Sequence, residues 1–243
     1  MPLDWIIPDW PAPEGLCALS TTRTGGFSLS PWGSFNLGDH VEDDPVIVQK
    51  NRARLVLHGC LPGEPMWLEQ IHGCDVYADE SDARRADACF TRQAGKVCAV
   101  LTADCLPVLL CDIRGSAVAA VHAGWRGLAA GVLERALRCF GSPAPAIMAW
   151  LGPAIGPAAF EVGDEVREVF LRQQEQAESA FVFRGKGKWL ADIYELARQR
   201  LQAQGVDQVY GGDYCTFSDS ERFFSYRRDG CTGRMASLIW LEE

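Results

Sequence analysis

The chain has 243 residues, 48% hydrophobic and 23% charged, a balance that allows a sizeable core and excludes a disordered or fibrous protein. Its formal net charge of −9, with no Lys/Arg cluster beyond two or three residues, argues against a nucleic-acid partner. No run approaches the roughly 20 apolar residues of a membrane helix, and the start MPLDWIIPDWPAPEG lacks the basic and apolar segments of a signal peptide, so a cytoplasmic protein with no membrane partner is expected.

In chain order, Cys17–Thr22 reads as a strand that ends in a Gly25–Gly26 turn. Asp44 and Pro45 supply a cap and a first-turn proline for the helix VIVQKNRARLVLH, which Gly59 closes. Met66–Ile71 is predicted to be a strand running into His72–Gly73. The apolar runs Val97–Thr102, Pro107–Ile113 and Ala117–Ala123 follow as strands, broken at Ala103–Leu106 and Arg114–Gly115. A helix is predicted over Leu128–Phe140, then a strand over Ala146–Leu151 that stops at Gly152–Pro153. DEVREVFLRQQ starts a helix at Asp164, and Trp189–Gln204 carries an apolar stripe of helical period closed by Gly205. Phe223–Tyr226 and Met235–Leu241 read as the last strands, around an Asp229–Gly230 turn.

Connections this short favour hairpins and antiparallel neighbours in much of the sheet. Strands in runs with irregularly placed helices predict a layered α+β fold. There is no repeat, and the most linker-like stretch, Gly141–Ala146, is too short to separate domains, so residues 1–243 are expected to form a single domain. Ten cysteines are scattered from Cys17 to Cys231 without a CxxC pair, and several lie in apolar runs, which reads mostly as buried thiols. Histidine is scarcer, at His40, His58, His72 and His122.

Three segments carry chemistry. In LTADCLPVLL a polar break places Asp104 and Cys105 at a strand end. In AVAAVHAGWRGLAAGVLERAL a strand ends at His122, glycines flank Trp125–Arg126 and a helix follows. Free N–H groups and Arg126 would make that turn an anion site; a glycine packing turn with a solvated arginine fits equally well. In MWLEQIHGCDVY, Gln70 and His72 end another apolar run. His72, Cys105 and His122 together offer two imidazoles and a thiolate, a three-ligand zinc set with the fourth position open.

The segments TTRTGGFS (Thr21–Ser28), FNLGDHVEDDP (Phe35–Pro45), QIHG (Gln70–Gly73), TADCLPVLLCD (Thr102–Asp112) and VHAGWRG (Val121–Gly127) resemble the YfiH-type family, as do GPAIGPAAFEVGDEV (Gly152–Val166) and FFSYRRDGCTGR (Phe223–Arg234). The resemblance covers nearly the whole chain in the same order. The family is described both as laccase-domain or polyphenol oxidase and as purine nucleoside phosphorylase. The resemblance implies an α/β/β/α sandwich of two stacked β-sheets between helical layers. It implies one zinc per chain on His72, Cys105 and His122. It also implies phosphorolysis of adenosine, inosine and S-methyl-5′-thioadenosine to base and (methylthio)ribose-1-phosphate, together with deamination of adenosine to inosine.

For those reactions Arg23, Arg126 and Arg227 are the phosphate-holding candidates, although a solvated Arg227 fits as well. Asn36 and Gln70 could position ribose or base, or serve as structural amides. No H-x-E motif follows either zinc histidine, so Asp104 is the nearest proton carrier for deamination. Three rival readings use the same residues. A polyphenol oxidase would hold copper in the same site, since four histidines cannot build a multicopper centre. A cysteine hydrolase would use Cys105 as nucleophile and His122 as base. A zinc-stabilised interaction domain would need a fourth ligand, such as Cys74 or Cys215. Nothing in the sequence fixes the oligomeric state.

Overall fold

The computed structural model describes residues 3–78, 84–141 and 143–242. Among these, the strands are β1 (Leu16–Ser20), β2 (Val76–Ala78), β3 (Ala88–Thr91), β4 (Val97–Thr102), β5 (Leu106–Asp112), β6 (Val118–Ala123), β7 (Ile147–Leu151), β8 (Glu161–Gly163), β9 (Phe181–Gly185), β10 (Lys188–Ala191), β11 (Gln208–Gly211) and β12 (Met235–Leu241). The helices are α1 (Pro45–His58), α2 (Trp125–Ala130), α3 (Val132–Phe140), α4 (Asp164–Leu171), α5 (Ile193–Ala203) and α6 (Tyr226–Asp229).

Two sheets stack face to face. One has the order β1-β12-β4 and is antiparallel throughout; the other runs β11-β7-β5-β6-β3-β2. The alternation within single strands explains the stacking. In β4, Cys98 and Val100 point into the core between the sheets, while Val97, Ala99 and Leu101 point the other way, toward Leu55 of α1. In β5, Leu109 and Cys111 share that inter-sheet core, whereas Leu106, Val108 and Leu110 meet the side chains of α2, α3 and α5. Because strands β4, β5 and β6 are covered on both faces, they read in sequence as unbroken apolar runs. The layers are therefore α/β/β/α, as the resemblance implies, with a small third sheet, β8-β10-β9, beside the helices.

Several predicted elements differ. Met66–Ile71 makes only an isolated bridge, Met66 with Cys98. The Gln70 side chain explains the difference: its Oε1 accepts from Leu101 N at 2.7 Å and its Nε2 donates to Leu101 O at 2.8 Å, standing in for a strand peptide at the edge of β4. The helix expected over Leu128–Phe140 starts earlier, at Trp125, and breaks at Gly131, whose φ of 92 is left-handed. Trp189 and Leu190 lie in β10, and α5 begins only after Asp192, whose carboxylate accepts from Glu195 N at 3.0 Å. Phe223–Tyr226 is no strand, because Ser225 caps the single-turn α6. Most strand pairs are antiparallel, as expected for much of the sheet; β7 with β11 and β2 with β3 are parallel. Only Cys89, Cys98 and Cys111 are buried, so most cysteines are not core thiols; all ten are free. No described helix is long and apolar enough to cross a membrane.

Candidate metal centre

The two sheets determine where the donors meet. The break Ala103–Asp104–Cys105 carries the chain from β4 in one sheet to β5 in the other, leaving Cys105 at the first end of β5. In the β5–β6 register Leu106 faces Ala123 and Pro107 faces His122, so Cys105 and His122 share one end of the sheet. His72 arrives from the turn ahead of β2. Its ring stands against that of His122, with centroids 4.8 Å apart at 76°.

The donor atoms of His72, Cys105 and His122 lie within 4.8 Å of one another, and His72 Nε2 is 3.8 Å from Cys105 Sγ. Zinc bonds of about 2.0 Å to nitrogen and 2.3 Å to sulfur at a tetrahedral angle would set those atoms about 3.5 Å apart, so the three residues fit such an ion. Neither Cys74 nor Cys215 joins the set among the described residues. Burial pushes the Cys105 thiol up and the His122 cation down. Their mutual attraction, with hydrogen bonds to Cys105 from both imidazoles and from His122 to Asp87, reverses both shifts: Cys105 is lowered and His122 raised. The site thus favours the thiolate that a metal requires, and binding a metal would release the His122 proton.

Asp87, which no motif singled out, organises this centre. Its carboxylate is fully buried and accepts four hydrogen bonds: from His122 Nδ1 at 2.8 Å, His72 N at 2.9 Å, Gly73 N at 2.6 Å and Ile71 N at 3.2 Å. Holding Nδ1 of His122 leaves Nε2 to face Cys105. Holding the Ile71–Gly73 backbone keeps His72 at a left-handed φ of 59, which costs on the order of 1 kcal/mol or more.

Two glycines of HAGWRG are required for close approach. A Cβ on Gly124 would stand 2.9 Å from Cys105 Sγ and 3.2 Å from His72 Cδ2; one on Gly127 would stand 2.6 Å from Gly73 O. Arg126 accordingly lies inside α2, not ahead of it. Its guanidinium is exposed, lies over the Trp125 ring at 4.4 Å and has no hydrogen-bond partner among the described residues.

The centre opens into a cleft of about 590 Å³ lined by Gln70, Asp104, Arg126 and Arg227 among the expected residues, with Phe160 and Tyr226 as aromatic walls. Gln70 has both amide atoms engaged by Leu101. Asp104 accepts from Thr216 Oγ1 at 2.6 Å, Ser225 Oγ at 3.1 Å and Arg227 N at 2.6 Å, leaving about one of its four acceptor positions. Arg227 also donates to Glu161 O at 2.8 Å. Arg23 and Asn36 do not line the cleft. Arg23 donates to the carbonyls of Gly33 and Ser220, and Asn36 is a buried amide bonded to Gly38, Asp43 and Arg234 N. The cleft also holds His40 and Arg234, which the sequence reading passed over. Both lie in segments quoted for the family resemblance, and His40 is also one of the four histidines.

A family profile described as multi-copper polyphenol oxidoreductase laccase matches residues 17–242. The purine nucleoside phosphorylase YfiH of Escherichia coli K12 is 57% identical over 239 residues, 97% of this chain and 98% of its own. The purine nucleoside phosphorylase of Pseudomonas aeruginosa is 54% identical over 241 residues, covering 98% and 99%. The crystal structure of a Neisseria meningitidis protein of the DUF152 family has a TM-score of 0.94 at 48% identity, covering 98% of this chain and 99% of that one.

Proposed function

The chain belongs to the multi-copper polyphenol oxidoreductase laccase family, and from that premise we propose that it is a zinc-dependent purine nucleoside phosphorylase that also deaminates adenosine. Its substrates are adenosine, inosine, S-methyl-5′-thioadenosine and phosphate. The reading is carried by a cleft that combines flat aromatic faces and cationic groups beside one metal donor set, in a chain that matches, nearly end to end, relatives named for this activity.

His72, Cys105 and His122 hold the metal; copper in the same three-ligand site is the alternative. Zinc bound there supplies Lewis-acid and water-activating chemistry, the part of the pair of reactions that suits deamination. For phosphorolysis the chain has to hold phosphate in line with the ribose C1′ and neutralise charge on the departing base. Phe160 and Tyr226 offer ring faces for the purine, and Arg126 and Arg227 place positive charge at the cleft mouth. Asp104 is the one carboxylate among the described cleft residues, and its remaining acceptor position makes it the proton carrier for deamination.

The multicopper reading fails on donors: His40 lies at the cleft and His58 ends α1, leaving no histidines for further copper ions. The working protein is expected in the cytoplasm.

Product analysis separates the reactions. With phosphate absent, adenosine is expected to yield inosine but no adenine. With phosphate added, adenine and ribose-1-phosphate should appear in step. Free ribose accompanying the base would make the protein a hydrolase and end the phosphorylase reading.

A further inference from the structure

Adenosine, inosine and their thioether analogue are neutral, so the charged partner in phosphorolysis is phosphate. Of the arginines around the cleft, Arg126 and Arg227 are exposed, whereas Arg234 is half-buried in its wall. The fold makes room for Arg234. A Cβ on Gly38 would stand 2.8 Å from Arg234 Cγ and 3.1 Å from its Cβ, so only glycine lets the side chain pass. The backbone is pinned on both sides: Arg234 N donates to Asn36 Oδ1 at 2.9 Å, and Leu37 N donates to Arg234 O at 3.1 Å.

One corner of the guanidinium is fixed as well. Nη1 donates to the carbonyls of Thr232 and Gly233, each at 3.0 Å. Among the described residues, Nε and Nη2 have no hydrogen-bond partner, and no carboxylate pairs with this cation. Cys105 and then Asp104 are close enough for their charge to be felt, but neither is in direct contact with the guanidinium, and three of the Asp104 acceptor positions are filled by Thr216, Ser225 and the Arg227 amide. A positioned, half-buried cation with no anion in direct contact gains from one that bonds its open edge. The free Nε–Nη2 edge is the planar fork that matches two oxygens of a phosphate.

We propose that Arg234, presented by Asn36 and Gly38, is the residue that anchors inorganic phosphate in the cleft. As the co-substrate site, this assignment rests on the phosphorylase reading; as an anion site it does not. It also gives Asn36 a role through Arg234, at a distance from the substrate.

The test is calorimetric titration of inorganic phosphate into the zinc-loaded wild type, Arg234→Gln and Arg126→Gln proteins, with the phosphate KM for adenosine cleavage measured alongside. Arg234→Gln is expected to weaken phosphate binding by about 10- to 100-fold and raise the phosphate KM to match, the loss of a charge-assisted bidentate contact. The adenosine KM and the zinc content should hardly move, and Arg234→Lys should recover only part of the binding. Phosphate binding unchanged in Arg234→Gln, or lost in Arg126→Gln alone, overturns the assignment and leaves the phosphorylase reading standing. Phosphate binding that depends on Arg234 in a protein that releases no ribose-1-phosphate upholds the anion site and removes the reading. If Arg234→Gln does not fold, Arg234→Lys decides: weakened binding at full zinc content supports the assignment, and wild-type binding overturns it.

Discussion

Asp87→Ala is expected to lower the affinity for zinc by about 10- to 100-fold and to destabilise the fold by about 3–5 kcal/mol. The carboxylate is fully buried and is the common acceptor for three consecutive backbone N–H groups, Ile71 to Gly73, and for the His122 ring. Alanine leaves all four donors in a space that water cannot easily enter, and each unpaired buried donor is costly. It also frees the His122 ring to choose its tautomer and releases His72 from its left-handed backbone. Asp87→Asn separates the two effects. It keeps the volume, so stability should fall less, but its NH2 cannot accept: placed at Oδ2 it loses Ile71 N and Gly73 N, and placed at Oδ1 it loses His72 N and His122 Nδ1. Competition with a chelator measures the metal affinity, and denaturant unfolding measures the stability. Wild-type zinc affinity in Asp87→Asn would show that this carboxylate does not set the geometry of the donors.

Gly124→Ala is expected to cost on the order of 100-fold in rate while leaving the core folded. The glycine has an ordinary extended backbone, φ −62 and ψ 156, so alanine meets no conformational penalty there. The obstacle is its methyl group, which would lie 2.9 Å from Cys105 Sγ and 3.2 Å from the His72 ring. Both neighbours are donors, and both must move apart by several tenths of an ångström. Zinc content after dialysis against a weak chelator should fall with the rate. A Gly124→Ala protein with full zinc and full rate would show that the donors have room that the structure denies them.

The layered core was legible because strands covered on both faces leave continuous apolar runs, as in β4, β5 and β6. Helix α1 was legible for a local reason: Asp44 caps it, accepting from Val46 N at 2.8 Å, and Pro45 begins it. Elements whose partners are distant or unusual were not legible. Met66–Ile71 has strand-like composition, yet Gln70 bonds β4 through its side chain. Leu128–Phe140 keeps a helical period across Gly131, where the backbone turns left-handed.

The same distinction holds for the site. His72, Cys105 and His122 each end an apolar run beside a polar break, a pattern visible in one dimension, and the structure brings the three together. Asp87 and Arg234 are single polar residues placed by distant partners, Gly73 14 positions from Asp87 and Asn36 198 positions from Arg234. Only the β3–β6 pairing puts Asp87 beside His122, and only the loop around Asn36 puts Arg234 in the cleft wall. Arg23, beside Gly25–Gly26, and Asn36 were candidates for ligand contact, but their side chains bond the surrounding loops.

The most direct measurement is a zinc titration of metal-free protein, following ribose-1-phosphate released from adenosine and phosphate. With His72, Cys105 and His122 as a single donor set, the rate should rise in proportion to added zinc and stop rising at one ion per chain. Full phosphate-dependent cleavage before any zinc is added, or no ribose-1-phosphate at any zinc level, would contradict a zinc-dependent nucleoside phosphorylase.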